Sequence, residues 1–201
     1  MHISSKSGNS IAEFAVVIFL MAILISAGQV RFSQATESGK AKKSAQAINK
    51  IINAANNFYL QTNTEEGIGR FPGQEKWNRN VPDGGSDAGY ISIENAVEDL
   101  VSGNFDSYQK SNVYGQKWCS VFGKNHSKAK IYSDHADKIH DDDDGDNIGS
   151  EEWLNFLDAL ESPYQDGHYI YTVIGGTESS RPALIVTDLF QPSAEFVVLQ
   201  P

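Results

Sequence analysis

A continuous apolar run near the amino terminus constrains this chain more than any other feature of its sequence. Within residues 11–30, 16 of 20 positions are apolar and the only charged residue is Glu13. As a helix the run would extend for roughly 30 Å, about the thickness of the hydrocarbon core of a bilayer. It is longer than the apolar core of a secretory signal peptide, and no A-x-A cleavage site follows it. The sequence therefore predicts a hydrophobic transmembrane helix at residues 9–30.

The rest of the chain is polar and acidic. The 201 residues include 16 Lys and Arg against 26 Asp and Glu, which gives a net charge of −10. This balance argues against a nucleic-acid partner and against docking on anionic lipid, because both need clustered basic side chains. The single cysteine, Cys119, excludes an intramolecular disulfide, and we expect it to be buried as a small apolar residue.

A short polar leader precedes the apolar run. It reads MHISSKSG, it contains Lys6, and the sequence NSIAEF follows its last residue, Gly8. This arrangement resembles the processing site of type IV prepilins and type II secretion pseudopilins, which have a short basic leader, a glycine at the scissile position and a glutamate fifth in the mature chain. Asn9 stands where phenylalanine is usual. The resemblance implies that a prepilin peptidase removes residues 1–8 and that the new amino group of Asn9 is N-methylated.

Glu13 is the fifth residue of the mature chain in this comparison. A carboxylate at the centre of a membrane helix costs roughly 2.5–3.5 kcal/mol on insertion scales, so Glu13 needs either a shallow position or a partner. The resemblance implies assembly with copies of this chain and related pilins, in which the terminal ammonium of a neighbouring subunit would be that partner. It also implies a single-pass protein of the inner membrane with an extracytoplasmic globular domain.

An amphipathic segment continues the helix at residues 31–60. Small or apolar residues recur there at alternating spacings of four and three, which places them on one helical face. The pattern predicts one helix of about 50 residues whose second half packs on the chain's own domain, with a coiled-coil partner as the alternative. The predicted packing face is Ala41, Ala45, Ile48, Ile52, Ala55 and Tyr59, and the predicted exposed face is Lys42, Lys43, Asn49, Lys50 and Asn53.

Residues 61–201 are predicted to form the globular domain. Short helices are expected at residues 93–101 and 151–160, the second capped by Ser150. The stretches HYIYTVI, ALIVTDLF and EFVVL predict antiparallel strands, with a hairpin turn at Gly175 and Gly176. The predicted fold class is therefore α+β, with a long N-terminal helix packed on a small C-terminal antiparallel β-sheet, short helices and long loops. This architecture is also that of pilins.

A looser resemblance to prepilin-like proteins covers the globular part. The proline-glycine turn FPGQ at residues 71–74 follows the long helix, and Trp77 follows the turn. A stretch rich in glycine and aspartate, residues 141–149, leads into the sequence EEWL at residues 151–154. Gln74 stands where an aspartate is usual.

An acidic loop at residues 134–152 is the candidate cation site. Twelve of the 26 acidic residues lie within residues 134–166, beside a single basic residue. Calcium takes six to eight oxygen ligands, and an EF-hand-like register starting at Asp141 fits except that Gly145 and Asp146 stand in reversed order. A solvated or partner-facing acidic loop and a transition-metal site are the alternatives. The candidate calcium ligands are Asp141, Asp143, Asp146 and Glu152, and the alternative metal ligands are His135, Asp137 and His140.

The sequence carries no G-x-S-x-G, H-E-x-x-H or phosphate-binding glycine motif. We therefore expect a structural subunit without enzymatic activity, a pilin or pseudopilin of a type IV pilus-like or type II secretion filament, as the resemblance implies. Two other classes stay open. One is a monomeric, membrane-anchored extracytoplasmic binding domain regulated by calcium, and the other is a metal-dependent hydrolase built on the two histidines and the aspartate of the alternative metal site.

Overall fold

The computed structural model describes residues 7–83, 88–102, 117–123, 149–165 and 167–201, with side chains from residue 36 onward. The chain divides into two units, Met1–Lys40 and Ala41–Pro201. The second unit contains both of the hydrophobic clusters described below.

A single long helix, α1, runs through Ser7–Glu65. It begins two residues before the predicted helix and continues five residues beyond its predicted end. No proline interrupts it, and it stops just before Gly67, whose φ of +85° is a left-handed conformation that glycine adopts readily.

The buried face of α1 differs from the predicted face. Ile48, Ala55 and Tyr59 are buried as predicted, but Ala45 is exposed, and Ala41 and Ile52 are only half-buried. A spacing of four and three implies a repeat of 3.5 residues, whereas a straight helix has 3.6 per turn, so the buried face drifts across the predicted one. The buried positions that the prediction missed are Ser44, Ile51, Ala54, Phe58 and Thr62. The five positions predicted to be exposed are exposed.

The described residues form an antiparallel sheet of four strands in the order β1-β2-β3-β4. The last three strands correspond to the three predicted stretches, so the α+β class with a small antiparallel sheet is confirmed. The first is too short to have been predicted. The strands are β1, Cys119–Ser120; β2, Tyr169–Ile174; β3, Ala183–Asp188; and β4, Phe196–Leu199.

Both faces of this sheet are covered. Alternate residues of β2, Tyr169, Tyr171 and Val173, pack with the buried residues of α1 in one hydrophobic cluster. Ile170 on the same strand packs in a second cluster with Leu100. Because side chains alternate across a strand, the two clusters occupy opposite faces, and β2 and β3 are buried along almost their whole length. Cys119 is fully buried, as predicted.

The second face is covered by helix α2, Ile93–Val101, whose bounds match the prediction. Ser92 caps it, since its side chain accepts a hydrogen bond from the Asn95 amide. The buried positions are Ala96 and Leu100, one helical turn apart.

The predicted helix at residues 151–160 is shorter than expected and is capped differently. Helix α3 spans Ser150–Phe156, and Leu157 already has extended backbone angles. Ser150 lies inside the first turn and is buried, so the prediction that it caps the helix is wrong. The N-cap is instead Gly149. Its φ of +88° is a left-handed conformation, which glycine adopts readily because it has no Cβ.

The β2–β3 connection is a hairpin, as predicted, but its tight turn lies further along. Thr177 and Ser180 bridge each other at the tip. Gly175 and Gly176 instead allow the neighbouring loop to approach, since a Cβ at Gly176 would lie 2.6 Å from the Trp77 ring.

Candidate functional site

The predicted processing and assembly residues lie within α1. The helix includes Gly8, Asn9 and Glu13, but their side chains are outside the residues whose side chains are described. Among the described residues, no helix combines the length and apolar character needed to cross a membrane. The side chains of residues 9–30, the predicted membrane span, are not among those that the structure describes. Processing after Gly8 and assembly through Glu13 therefore stay predictions.

Most of the acidic loop also lies outside the described residues. This applies to the candidate calcium ligands Asp141, Asp143 and Asp146, and to the alternative ligands His135, Asp137 and His140. Within the described part of the chain, no three or more His, Cys, Asp or Glu side chains cluster as metal ligands. The calcium prediction for the loop is untested.

Glu152 is the one candidate calcium ligand that the structure describes, and it joins α3 to the proline-glycine turn. Its Oε1 accepts a hydrogen bond from Arg70 Nη1 at 2.8 Å, and its Oε2 accepts one from the Gly73 amide at 2.6 Å. Both carboxylate oxygens are therefore engaged. The EEWL and FPGQ sequences, which are about 80 residues apart in the chain, meet in space.

Arg70 connects this junction to the end of α1. Its Nε donates to Glu66 Oε1 at 3.0 Å, and its guanidinium lies 5.1 Å from the centre of the Phe58 ring. Burial lowers the pKa of Arg70, but the hydrogen bonds and charges of Glu152 and Glu66 outweigh that effect and raise the pKa overall. Arg70 thus stays charged and holds two carboxylates from different elements.

Gln74 fixes the shape of the turn. Its Oε1 accepts from the Phe71 amide at 2.7 Å, and its Nε2 donates to the Arg79 carbonyl at 2.6 Å. An aspartate, which the family resemblance would place here, has no amide donor for the carbonyl. Gly149 packs directly on the turn, since a Cβ there would lie 2.5 Å from the Gly73 nitrogen.

A cleft of about 360 Å³ is lined by the end of α1, the segment that follows it and the β2–β3 hairpin. Tyr59 and Arg181 both line it, and Arg181 Nη1 donates to the Tyr59 hydroxyl at 2.8 Å. Trp77 and Ile68 supply an aromatic and an exposed apolar surface. The remaining lining residues are Asn63, Gly67, Thr177, Glu178, Ser179, Ser180 and Pro182.

The cleft has the chemistry of a binding site. Hydroxyl groups, one guanidinium and the two aromatic rings of Tyr59 and Trp77 can orient a polar ligand. None of the lining residues is a histidine or a cysteine.

Comparisons with protein-family models, with curated proteins and with solved structures find no match to this chain.

Sequence reasoning missed several polar contacts that the fold creates. Ser120 Oγ and His168 Nε2 share a hydrogen bond, and both residues are buried, so this pair is closed to solvent. Arg70 was missed because its partner Glu152 is 82 positions away. The only sequence signal was that Glu152 belongs to the EEWL segment and Arg70 directly precedes the FPGQ turn, the two segments that the family resemblance singles out.

Proposed function

We propose that this chain is a structural subunit, a pilin or pseudopilin, of a type IV pilus-like or type II secretion filament. The leader and cleavage sequence carries the proposal, with Gly8 at the scissile position and Glu13 fifth in the mature chain. Both residues precede or begin an apolar run that is long enough to cross a bilayer as a helix.

The fold of the described residues supports the proposal without deciding it. Helix α1 continues through the apolar run and then contributes Ile48, Ile51 and Tyr59 to the core of Ala41–Pro201. A chain built in this way can use one helix both as a membrane anchor and as part of a folded domain. The small antiparallel sheet follows that helix in the sequence, as in the pilin architecture.

Processing is the direct test. The full chain is co-expressed with a prepilin peptidase, and the intact mass of the membrane protein is measured. We expect a loss of residues 1–8 and the addition of one methyl group at Asn9. Gly8→Leu should leave the full mass, whereas the neighbouring control Ser7→Ala should be processed. An unchanged wild-type mass would contradict the proposal.

Assembly is tested through Glu13. Glu13→Gln removes the charge but keeps the size of the side chain, so we expect membrane insertion to continue and filament formation to fail. Glu37→Gln, which changes an exposed position of α1, is the matched control. Filaments are counted by electron microscopy, and subunit contacts are measured by cross-linking.

A monomeric, membrane-anchored binding domain is the second candidate, and the cleft lined by Tyr59, Trp77 and Arg181 favours it. The two proposals predict different effects of Glu13→Gln on filament formation. If the variant remains processed, monomeric and indistinguishable from wild type, then α1 is only a tether and the binding-domain candidate replaces the filament subunit.

A further inference from the structure

The charges in the cleft at the end of α1 cancel. Among the described residues that line it, Arg181 and Glu178 are the only charged ones. An anionic ligand would face Glu178 and a chain whose net charge is −10, and a cationic ligand would face Arg181. The lining therefore favours a ligand without a net charge.

Three planar polar groups in the cleft can bind such a ligand. Asn63 and Glu178 are exposed, and neither side chain forms a hydrogen bond or an ion pair with another of the described residues. Arg181 is exposed as well, and it uses one N–H group for the Tyr59 hydroxyl. An amide, a carboxylate and a guanidinium each present two or more hydrogen-bonding atoms in one plane, which suits a ligand with neighbouring hydroxyl groups.

The hairpin tip adds hydroxyl groups in a fixed arrangement. Thr177 Oγ1 accepts hydrogen bonds from the amides of Ser179 at 3.3 Å and Ser180 at 3.1 Å, and it shares a hydrogen bond with Ser180 Oγ at 2.8 Å. A hydroxyl group can donate and accept, so it can pair with a ligand hydroxyl in either direction.

Trp77 supplies an aromatic surface that is already held in place. Its ring is half-buried, and a Cβ at Gly176 would lie 2.6 Å from it. The Trp77 carbonyl accepts from the Gly176 amide at 2.9 Å and from Gln74 Nε2 at 3.2 Å. Because the residue is fixed by these contacts, binding a ligand against the ring costs little additional ordering.

We propose that this cleft binds a neutral carbohydrate, a mono- or disaccharide. A sugar ring has hydroxyl groups around its edge and C–H groups on its faces, so the edge matches Asn63, Glu178 and Arg181 and a face matches Trp77. A wholly apolar ligand would leave those polar groups without partners. The volume of about 360 Å³ lies near the lower end of the range for small-molecule sites, which fits a ligand of this size.

This inference rests on the cleft that supports the binding-domain candidate, and it requires neither cleavage after Gly8 nor assembly through Glu13. The test therefore uses the full chain, unassembled in detergent, so that a failure of processing or of filament formation does not change the result. Lauryldimethylamine oxide is a suitable detergent, because a sugar head group would compete for the cleft.

Tryptophan fluorescence is the first measurement. The chain has three tryptophans, and Trp118 and Trp153 are fully buried, so an added sugar can contact only Trp77. The probes are maltose, cellobiose, lactose and N,N′-diacetylchitobiose, each titrated through the millimolar range. We expect a saturable change in emission with at least one of them. The absence of a saturable change with all four would overturn the proposal.

Variants at exposed positions assign the binding to the cleft. Asn63→Ala and Arg181→Gln should each raise the Kd of the sugar at least about threefold, because each removes a hydrogen-bonding group. Asn57→Ala is the matched control, since Asn57 is also exposed on α1 but does not line the cleft, and it should keep the wild-type Kd. A Kd that is unchanged in both cleft variants would place the sugar elsewhere and contradict the proposal.

The preference for a neutral ligand has its own test. Glucose, glucosamine and glucuronate differ in charge but share the sugar ring, and we expect glucose to bind most tightly. Tighter binding of either charged sugar would show that the cleft selects a charged ligand and would refute the proposal.

Saturation-transfer NMR measures sugar binding without using the fluorescence of Trp77. Trp77→Leu should abolish the transfer to the sugar protons, and Trp77→Phe should reduce it, since phenylalanine keeps a smaller ring. Thermal unfolding checks that each variant is folded. Undiminished transfer in a folded Trp77→Leu variant rejects the site.

Discussion

At Gly149 the backbone conformation decides which residue the position accepts. Its φ of +88° lies in the left-handed region, and a Cβ would lie 2.5 Å from the Gly73 nitrogen and 2.6 Å from its Cα. Both features require glycine, and the second is a close approach between two backbones. This contact brings Glu152 within reach of Gly73 and Arg70.

We therefore predict that Gly149→Ala destabilises the protein by at least about 2 kcal/mol, from left-handed strain together with the backbone clash. Gly39→Ala should have the opposite sign, a gain of about 0.5–1 kcal/mol, because Gly39 lies in α1 with nothing within 4 Å of the added carbon. Urea unfolding of both variants measures the difference. Equal effects would refute this account of the junction.

A second prediction at the residue scale concerns pH. Burial raises the pKa of Asp188, so the folded state holds its proton to higher pH than the unfolded state does. For an acid shifted in this direction, stability falls as the pH rises from the unfolded pKa, about 3.9, toward the raised folded pKa. Asp188→Asn should lose this component. The difference in unfolding free energy between variant and wild type should thus shift in the variant's favour between pH 4 and 7, by about 1.4 kcal/mol for each unit of pKa shift. A constant difference would contradict the prediction.

At the scale of elements, the buried face of α1 depends strongly on the helical repeat. The difference between 3.5 and 3.6 residues per turn changes which residues lie in the core. Ile51 is fully buried, while its neighbour Ile52, which the four-three spacing selects, is only half-buried. Ser44 is buried as well, because its hydroxyl has Asp188 as an acceptor. A spacing rule that counts only apolar residues cannot find such a position.

Ile51→Ala should cost about 2–5 kcal/mol of unfolding free energy, since it leaves a cavity in the cluster between α1 and the sheet. Ile52→Ala removes the same atoms from a half-exposed position and should cost under about 2 kcal/mol. Denaturant unfolding with an unchanged m-value measures both. A larger cost at Ile52 would mean that the helix packs through the face predicted from the sequence.

The whole molecule divides at Lys40 and Ala41, and the first buried residue after that point is Ser44. A truncated chain that begins at Ala41 keeps every residue of both hydrophobic clusters. We predict that it folds with a cooperative thermal transition. A chain that begins at Asn53 lacks Ser44, Ile48 and Ile51 and should not do so. Circular dichroism and calorimetry compare the two, and an unfolded 41–201 chain would show that the core depends on the preceding segment.

Local patterns were sufficient to predict α2 and the last three strands. Helix α2 has apolar residues one turn apart and a serine before its first residue. Both signals lie within about ten consecutive residues, so they are visible in the sequence. β1 was missed because two residues, Cys119–Ser120, are too few to show alternation. The start of α3 was misplaced because serine is a common N-cap residue when only the local sequence is considered. In the folded chain Gly149, which packs against Gly73, is the N-cap.

The candidate sites were harder to predict, for a related reason. The pairing of Arg70 with Glu152 joins positions 82 apart, and the cleft brings Tyr59 together with Arg181, which is 122 positions away. Neither is visible until the chain is folded. The leader sequence with Gly8 and Glu13, by contrast, is contiguous in the sequence and can be recognised without the fold.

The sheet that is covered on both faces also limits how this sequence can vary in evolution. Every residue of β3 and all but one residue of β2 are buried, so there is no solvent-facing side on which neutral substitutions could accumulate. In β4 all four residues are only partly buried, and the hairpin tip at residues 177–181 is exposed. Natural variants of this protein should therefore keep the two inner strands nearly constant in side-chain volume while they diverge along β4 and the hairpin tip, which forms one wall of the cleft.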